Sequence, residues 1–273
     1  MNSTKLRVIA LDLDNTLLRT DLSLSYKTRM LIKRLVEAGL TVVLASGRIP
    51  EAMEKYVRLL GLHKAHSYLI SNNGALITES NTGHIVHEML LDRETLLKIC
   101  DLAHSEDFPL QMYDDNITYI SRKNEYSAMD EKITGLRQVV VENFRSLVGE
   151  ACYKLIIPGD TEHLACVETL IRTYIDSKLS FFTSRKYFLQ ISREGANKGS
   201  ALEKIANINF IRQEEVMAIG DSINDEAMIR WAGVGVAMAN GDERIKSIAS
   251  HITKKTNDED GVADFLENYF FGQ

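Results

Sequence analysis

The chain has no surplus of positive charge: 32 lysines and arginines stand against 38 acidic residues, a net charge of −6. Proteins that track a nucleic-acid backbone carry a basic excess, so nucleic acid is not an expected partner. No apolar run approaches the length that spans a bilayer, because Asp12 and Asp14 interrupt the most apolar N-terminal stretch. A membrane is therefore not an expected partner either. The start, MNSTKLRVIALDLD, lacks the apolar core and small-residue cleavage site of a secretory leader. Cysteine is scarce: Cys100, Cys152 and Cys166 are odd in number, far apart and in no CxxC pattern. That fits reduced, buried thiols in a cytoplasmic protein and excludes a disulfide scaffold. Without a secretory route, the sequon Asn116-Ile117-Thr118 is a chance match.

What is present is an ordinary globular composition, 45% hydrophobic, 26% charged and 7% aromatic over 273 residues. Disorder and collagen-like architectures are excluded, and the length suits one large core domain with a smaller second one. The first hundred residues alternate apolar runs with helical spacing: Val8–Leu13, then 24–39, Thr41–Ala45, 51–60 and Tyr68–Ser71, closed by the turn signal Asn72-Asn73-Gly74. The last eighty residues resume the same rhythm. Near-continuous apolar strands separated by helices predict an α/β fold, a Rossmann-like parallel-sheet core covered on both faces. Between the halves the pattern turns to runs of strands with a few helices, which predicts an inserted α+β cap domain. The boundaries read from the sequence are 1–82 and 191–273 for the core and 83–190 for the cap.

Open parallel sheets bind ligands beyond the carboxyl ends of their strands. After the first strand come Asp12, Asp14 and Thr16; after the second, Ser46-Gly47-Arg48; after the third, Asn72-Asn73-Gly74. The strand at Val216–Ile219 delivers Gly220-Asp221-Ser222, with Asn224 and Asp225 behind it, and Lys198 begins the helix before that strand. Like charges about 4 Å apart cost several kcal/mol at an effective dielectric near ~20. Asp12, Asp14 and Asp221 gathered in one crevice therefore call for a cation, and hard oxygen ligands with room for water suit Mg²⁺. Lys198 adds a positive charge, while Ser46, the Gly47 amide and Asn224 are donors of the kind that hold phosphoryl oxygens. Together they describe a phosphoryl-transfer site.

The segments DLDNTLL (12–18), LASGR (44–48), NKG (197–199) and GDSINDEAM (220–228) resemble the four motifs of the haloacid dehalogenase superfamily, in order and in spacing. VAMANG (236–241) and NDEDGVA (257–263) further resemble its Cof-type sugar-phosphate phosphatases, whose α/β cap lies between the second and third motifs. The resemblance implies Asp12 as nucleophile and Asp14 as general acid, then base. It implies Mg²⁺ on the carboxylates of Asp12 and Asp221 and the backbone carbonyl of Asp14, with Asp225 in support. The Leu13 amide, Ser46, Gly47, Lys198 and Asn224 would hold the phosphoryl group. Aspartate at position 14 matters, since relatives with a long-lived phosphoenzyme tend to carry threonine there. Two departures lie outside the motifs: Met238-Ala239-Asn240-Gly241 where relatives often show an MGNA segment, and Gln190-Ile191 where they often show a Glu-Ile pair.

Several residues keep two readings at this stage. Asp225 suits a helix start as well as a support role. Arg48 can touch substrate or pair with a structural acid. Asn73 with Gly74 is first a turn and second a residue of the cap hinge or pocket rim. The mixed-charge stretch 122–132 reads first as a solvated face of the cap and second as a face toward the substrate. The function expected is a Mg²⁺-dependent phosphatase for small phosphorylated metabolites, sugar phosphates foremost, working through an aspartyl-phosphate. A phosphomutase or phosphotransferase on the same scaffold, and a non-catalytic sensor of phospho-ligands, are the alternatives.

Overall fold

Val8–Asp12 is buried at every residue and forms a central strand, β1, of an eight-stranded sheet. Its side chains alternate between layers, Ile9 and Leu11 joining one apolar cluster and Val8 and Ala10 the other. The computed structural model describes residues 6–114, 117–175, 178–184 and 186–272. Asn116, the sequon asparagine, lies outside the described residues.

After β1, helix α1 (Tyr26–Glu37) starts at Ser25, whose hydroxyl accepts from the Thr28 amide at 3.0 Å. It stops before Gly39, whose φ of +90° reverses the chain. Strand β2 (Thr41–Ala45), helix α2 (Pro50–Leu59) and strand β3 (Tyr68–Ser71) follow. Two strands not expected from the sequence, β4 (Leu76–Glu79) and β5 (Ile85–Glu88), extend the sheet in antiparallel fashion.

The chain then builds a second compact unit, Met89–Ala196. Its elements are β6 (Leu91–Asp92), α3 (Arg93–Ser105), β7 (Gln111–Asp114), β8 (Ile117–Ile120), α4 (Glu125–Thr134), β9 (Arg137–Val140), β10 (Ala151–Cys152), β11 (Leu155–Pro158), α5 (Thr161–Tyr174), β12 (Leu179–Ser184) and β13 (Phe188–Arg193). Six of the strands form one sheet in the order β12-β13-β11-β7-β8-β9, and β6 pairs with β10. Apolar side chains of α3 and α5, among them Ile99, Val167 and Ile171, pack with Leu155, Ile157, Leu189 and Ile191. The mixed-charge stretch is exposed along most of its length. Most of it is α4, capped by Asn124, and that helix buries Ser127 and Asp130 instead of leaving its whole length to solvent. Asp130 accepts from Gln111 Nε2 at 2.7 Å and from the Tyr113 hydroxyl at 2.9 Å.

The return adds α6 (Lys198–Ile208), β14 (Val216–Gly220), α7 (Glu226–Trp231), β15 (Val234–Ala237), α8 (Glu243–Ile248), β16 (His251–Ile252) and α9 (Gly261–Phe271). The first unit's sheet runs β16-β15-β14-β1-β2-β3-β4-β5, parallel from β16 to β3. From β1 the chain first steps outward through β2 and β3, and after the insertion it steps the other way through β14, β15 and β16. That reversal opens a crevice at the carboxyl ends of β1 and β14. The units divide at Glu88/Met89 and Ala196/Asn197, later than the boundaries read from the sequence. The physical reason is pairing: β5 belongs to the first sheet, and β13 continues to Arg193 in the second. Cys100 is buried, but Cys152 is half-buried and Cys166 is exposed, so burial of all three thiols does not hold. Among the described residues no helix is long and apolar enough to cross a membrane.

Candidate active site

The geometry begins where β1 runs out. Asp12 keeps an extended backbone, and Leu13–Leu17 then wind into a wide turn closed by the Leu18 amide on the Leu13 carbonyl at 2.8 Å. Asp14 (φ −73°, ψ 126°) and Asn15 (φ 59°, ψ 9°) break its helical path. Asparagine tolerates the left-handed region, so the chain can double back here at low cost. The Leu13 side chain anchors the turn in the core. Thr16 then returns toward β14 and donates its hydroxyl to Asp221 Oδ1 at 2.9 Å.

Lys198 is the first residue of α6, capped by Asn197, whose side chain accepts from the Ser200 amide. Its side chain is fully buried, and Nζ lies 2.6 Å from Asp12 Oδ1 and 2.6 Å from Asp225 Oδ1. The other oxygen of Asp225 accepts from the amides of Asp221 and Ser222, each at 3.0 Å. Asp225 is thus a buried brace joining α6 to the end of β14, more than a helix-start charge. Gly220 makes room for it: a Cβ there would come within 2.5 Å of the Asp225 side chain.

Asp12, Asp221 and Asp225 are only 4%, 8% and 0% exposed. Each offers a carboxylate oxygen, and these atoms lie within 4.8 Å of one another. The protonation tendencies register the crowding. Burial foremost, then Asp225, raises the Asp12 carboxyl well above its ordinary value against the pull of Lys198. Burial and then Asp225 lift Asp221 to about 7, with the Thr16 hydrogen bond opposing. For Lys198, burial pulls the ammonium down, but Asp12 and Asp225 outweigh it and keep the group charged. Three acids therefore share one ammonium. Hard oxygen donors with surplus negative charge fit a divalent cation such as Mg²⁺.

A second group of side chains comes from β2 and β3. Ser46 is buried at the end of β2, and its hydroxyl accepts from the Arg48 amide at 3.2 Å. Arg48 forks onto Asp14, Nε to Oδ2 at 2.8 Å and Nη2 to Oδ1 at 2.6 Å. Of its two readings, the pairing with an acid is the one seen, and the acid is itself a candidate site residue. The turn after β3 is tied to the loop after β2 by the Asn73 amide on the Ser46 carbonyl at 3.0 Å. Asn73 (φ 54°) accepts from Asn224 Nδ2 at 3.1 Å, and a Cβ at Gly47 would stand 3.0 Å from its Oδ1. Asn224 also accepts from the Ser222 hydroxyl at 2.6 Å. Gly74 holds φ +99° with its α-carbon so near the Asn197 carbonyl that a Cβ would come within 2.2 Å of the oxygen.

All the candidate residues lie in the first unit. Thr16 was visible in the sequence as a polar residue after the first strand but carried no role there. Its hydroxyl at the fourth position after Asp12 was the available signal. Asn240 and Asn257 likewise carried none, though both lie in segments that resemble the Cof-type phosphatases. Asn240 Nδ2 reaches the Asn15 carbonyl at 2.8 Å, and Asn257 Nδ2 reaches the Leu18 carbonyl at 3.0 Å.

The profile of haloacid dehalogenase-like hydrolases matches residues 9–266. The putative phosphatase YxeH of Bacillus subtilis is 31% identical, over 94% of this chain and 96% of its own. The 5-amino-6-(5-phospho-D-ribitylamino)uracil phosphatase YitU of the same organism is 30% identical, over 98% of each. A haloacid dehalogenase-like hydrolase from Bacteroides thetaiotaomicron superposes with a TM-score of 0.89 at 30% identity, covering 97% of this chain and 100% of that one. The four motifs, the reversed sheet order and these likenesses agree, and the chain belongs to the haloacid dehalogenase-like hydrolase family, on its Cof-type phosphatase branch.

Proposed function

We propose that the protein is a Mg²⁺-dependent phosphatase of small phosphorylated metabolites, sugar phosphates foremost, acting through an aspartyl-phosphate on Asp12. The observation that carries this reading is the meeting of Asp12, Asp221 and Asp225 around Lys198 at the sheet's reversal point. The carboxylates of Asp12 and Asp221 with the Asp14 backbone carbonyl would hold the metal, braced by Asp225. Bound there, Mg²⁺ supplies positive charge to phosphoryl oxygens.

The chain's own groups account for the rest. Asp12 attacks phosphorus in line as the bond to the leaving oxygen breaks, and Asp14 gives that oxygen its proton. Asp14 then takes a proton from water, the water oxygen attacks phosphorus, and the Asp12–phosphorus bond breaks to release phosphate. Splitting one difficult displacement into two easier ones is the gain of covalent catalysis, and proton transfer by Asp14 adds typically ~10²–10⁴-fold. Ser46, the Leu13 and Gly47 amides, Asn224 and Lys198 hold the transferring group. Both carboxylate oxygens of Asp14 accept from the Arg48 fork, so the acid step follows release of one of them from Arg48.

The first unit is the catalytic core in this reading, and the second unit acts as its cap and recognises substrate. A phosphorylated polyol class is supported by YitU, whose name specifies a phosphate on a ribityl chain. The test is hydrolysis of p-nitrophenyl phosphate with and without Mg²⁺. Metal-dependent turnover that Asp12→Ala abolishes is expected; full activity of that variant refutes the reading. In ¹⁸O-water, label in free phosphate marks hydrolysis, whereas unlabelled intramolecular migration marks a mutase.

A further inference from the structure

The turn that carries Asp14 is held from outside by the C-terminal part of the chain. Asn240 sits after β15 and Asn257 before α9. The Asn240 carboxamide donates to the Asn15 carbonyl at 2.8 Å and accepts from the Asn257 amide at 3.0 Å. The Asn257 side chain, buried, donates to the Leu18 carbonyl at 3.0 Å. The middle of the turn, at Asn15, and its end, at Leu18, are thus fastened by one linked pair of asparagines. Just beyond, Asp258 accepts from the Thr20 amide at 2.8 Å and from its hydroxyl at 2.7 Å, and Arg19 pairs with Asp260 at 2.9 Å.

We propose that Asn240 and Asn257 are positioning residues that set the backbone of the Leu13–Leu18 turn and thereby aim Asp14. This inference rests on the phosphatase reading for its kinetic consequence. The chemistry favours carboxamides. At position 240 the side chain must donate to one carbonyl while accepting from one amide, which an amide group does and a carboxylate cannot. Asn15 is where the fastening acts. Its left-handed backbone is one that asparagine tolerates without being confined to it, so the bond to its carbonyl selects that state, and leaving it swings the Asp14 carbonyl and side chain.

The experiment compares Asn257→Ala, Asn240→Ala and the near-isosteric Asn240→Asp with wild type in two measurements. With p-nitrophenyl phosphate at saturating Mg²⁺, each variant should lose about tenfold in kcat with KM nearly unchanged, the pattern of a misaimed general acid. In the metal-free protein, amide hydrogen exchange should quicken in residues 13–20 and stay unchanged in Val216–Gly220. Unchanged kcat, a loss carried by KM, or exchange that rises equally in both segments overturns the proposal. If the wild type itself shows no Mg²⁺-dependent turnover, the phosphatase reading fails, while the exchange data still decide whether the asparagines hold the turn.

Discussion

Each unit of the molecule buries a lysine near carboxylates, and the two burials differ in charge balance. In the second unit Lys154 is buried with Asp130 as the acid that acts on it, and Asp130 has Gln111 and Tyr113 as further donors. In the first unit Lys198 faces Asp12 and Asp225 directly, with Asp221 a third carboxylate beside them. Among the described residues the second unit's set matches one ammonium to one acid and calls for no further ion. A set with surplus acid is costly unless something cationic joins it. The imbalance, rather than burial as such, separates the candidate site from an ordinary polar interior. Burial also acts differently on the two lysines. It holds Lys154 down to about 8 against the opposing pull of Asp130, while at Lys198 two acids overcome it.

Removing the lysines one at a time breaks this contrast most sharply. Lys198→Met strands two buried carboxylates, and the loss of stability should be about 3–5 kcal/mol. Lys154→Met leaves one aspartate that retains its other donors, with a smaller loss of about 1–3 kcal/mol. Urea denaturation of the two variants checks the order, and equal losses would remove the distinction drawn between the units. Next in size is the metal. Mg²⁺ at about a hundred times its Kd should stabilise the protein by about 2.7 kcal/mol, an effect that a chelator reverses and Asp221→Asn weakens. Thermal melts with and without the ion read this directly.

A smaller effect belongs to pH and to the second unit. At neutral pH the Lys154 ammonium is charged in both folded and unfolded chains, so its burial penalty is fully present. As pH climbs from about 8 toward the ordinary lysine range, the folded state sheds the proton while the unfolded state keeps it. Stability should therefore rise across that window, and Lys154→Met should flatten the rise. Amide exchange in strands β11 and β13 followed from pH 7 to pH 10 and corrected for intrinsic rates measures it. The smallest change expected is Thr16→Val, which leaves Asp221 without its hydroxyl donor and costs about 1 kcal/mol in chemical denaturation.

The core of the fold was legible because its strands are apolar throughout and end abruptly in polar residues. That pattern located β1, β2, β3 and β14 and with them most of the candidate residues. Strands β4 and β5 were not legible: Ile85–Glu88 is only partly buried and mixes apolar with charged residues, and its place depends on pairing with β4. Helix α4 was hidden for a similar reason. Its charged residues suit a surface, and only the sheet beneath shows that Asp130 faces inward. At the site, residue types announced the chemistry, whereas the partner of Arg48 could not be read from 34 residues away.

Local pattern was enough for the α/β class, the order of the motifs and the excess of acid among them, since strand burial and strand-end polarity are properties of short segments. The pairing of Lys198 with both Asp12 and Asp225, and the fastening of Asn15 and Leu18 by Asn240 and Asn257, belong to the folded chain. Each joins groups on different elements, some more than two hundred residues apart. Such contacts depend on how the sheet reverses at β1 and β14, and no window of sequence contains that geometry.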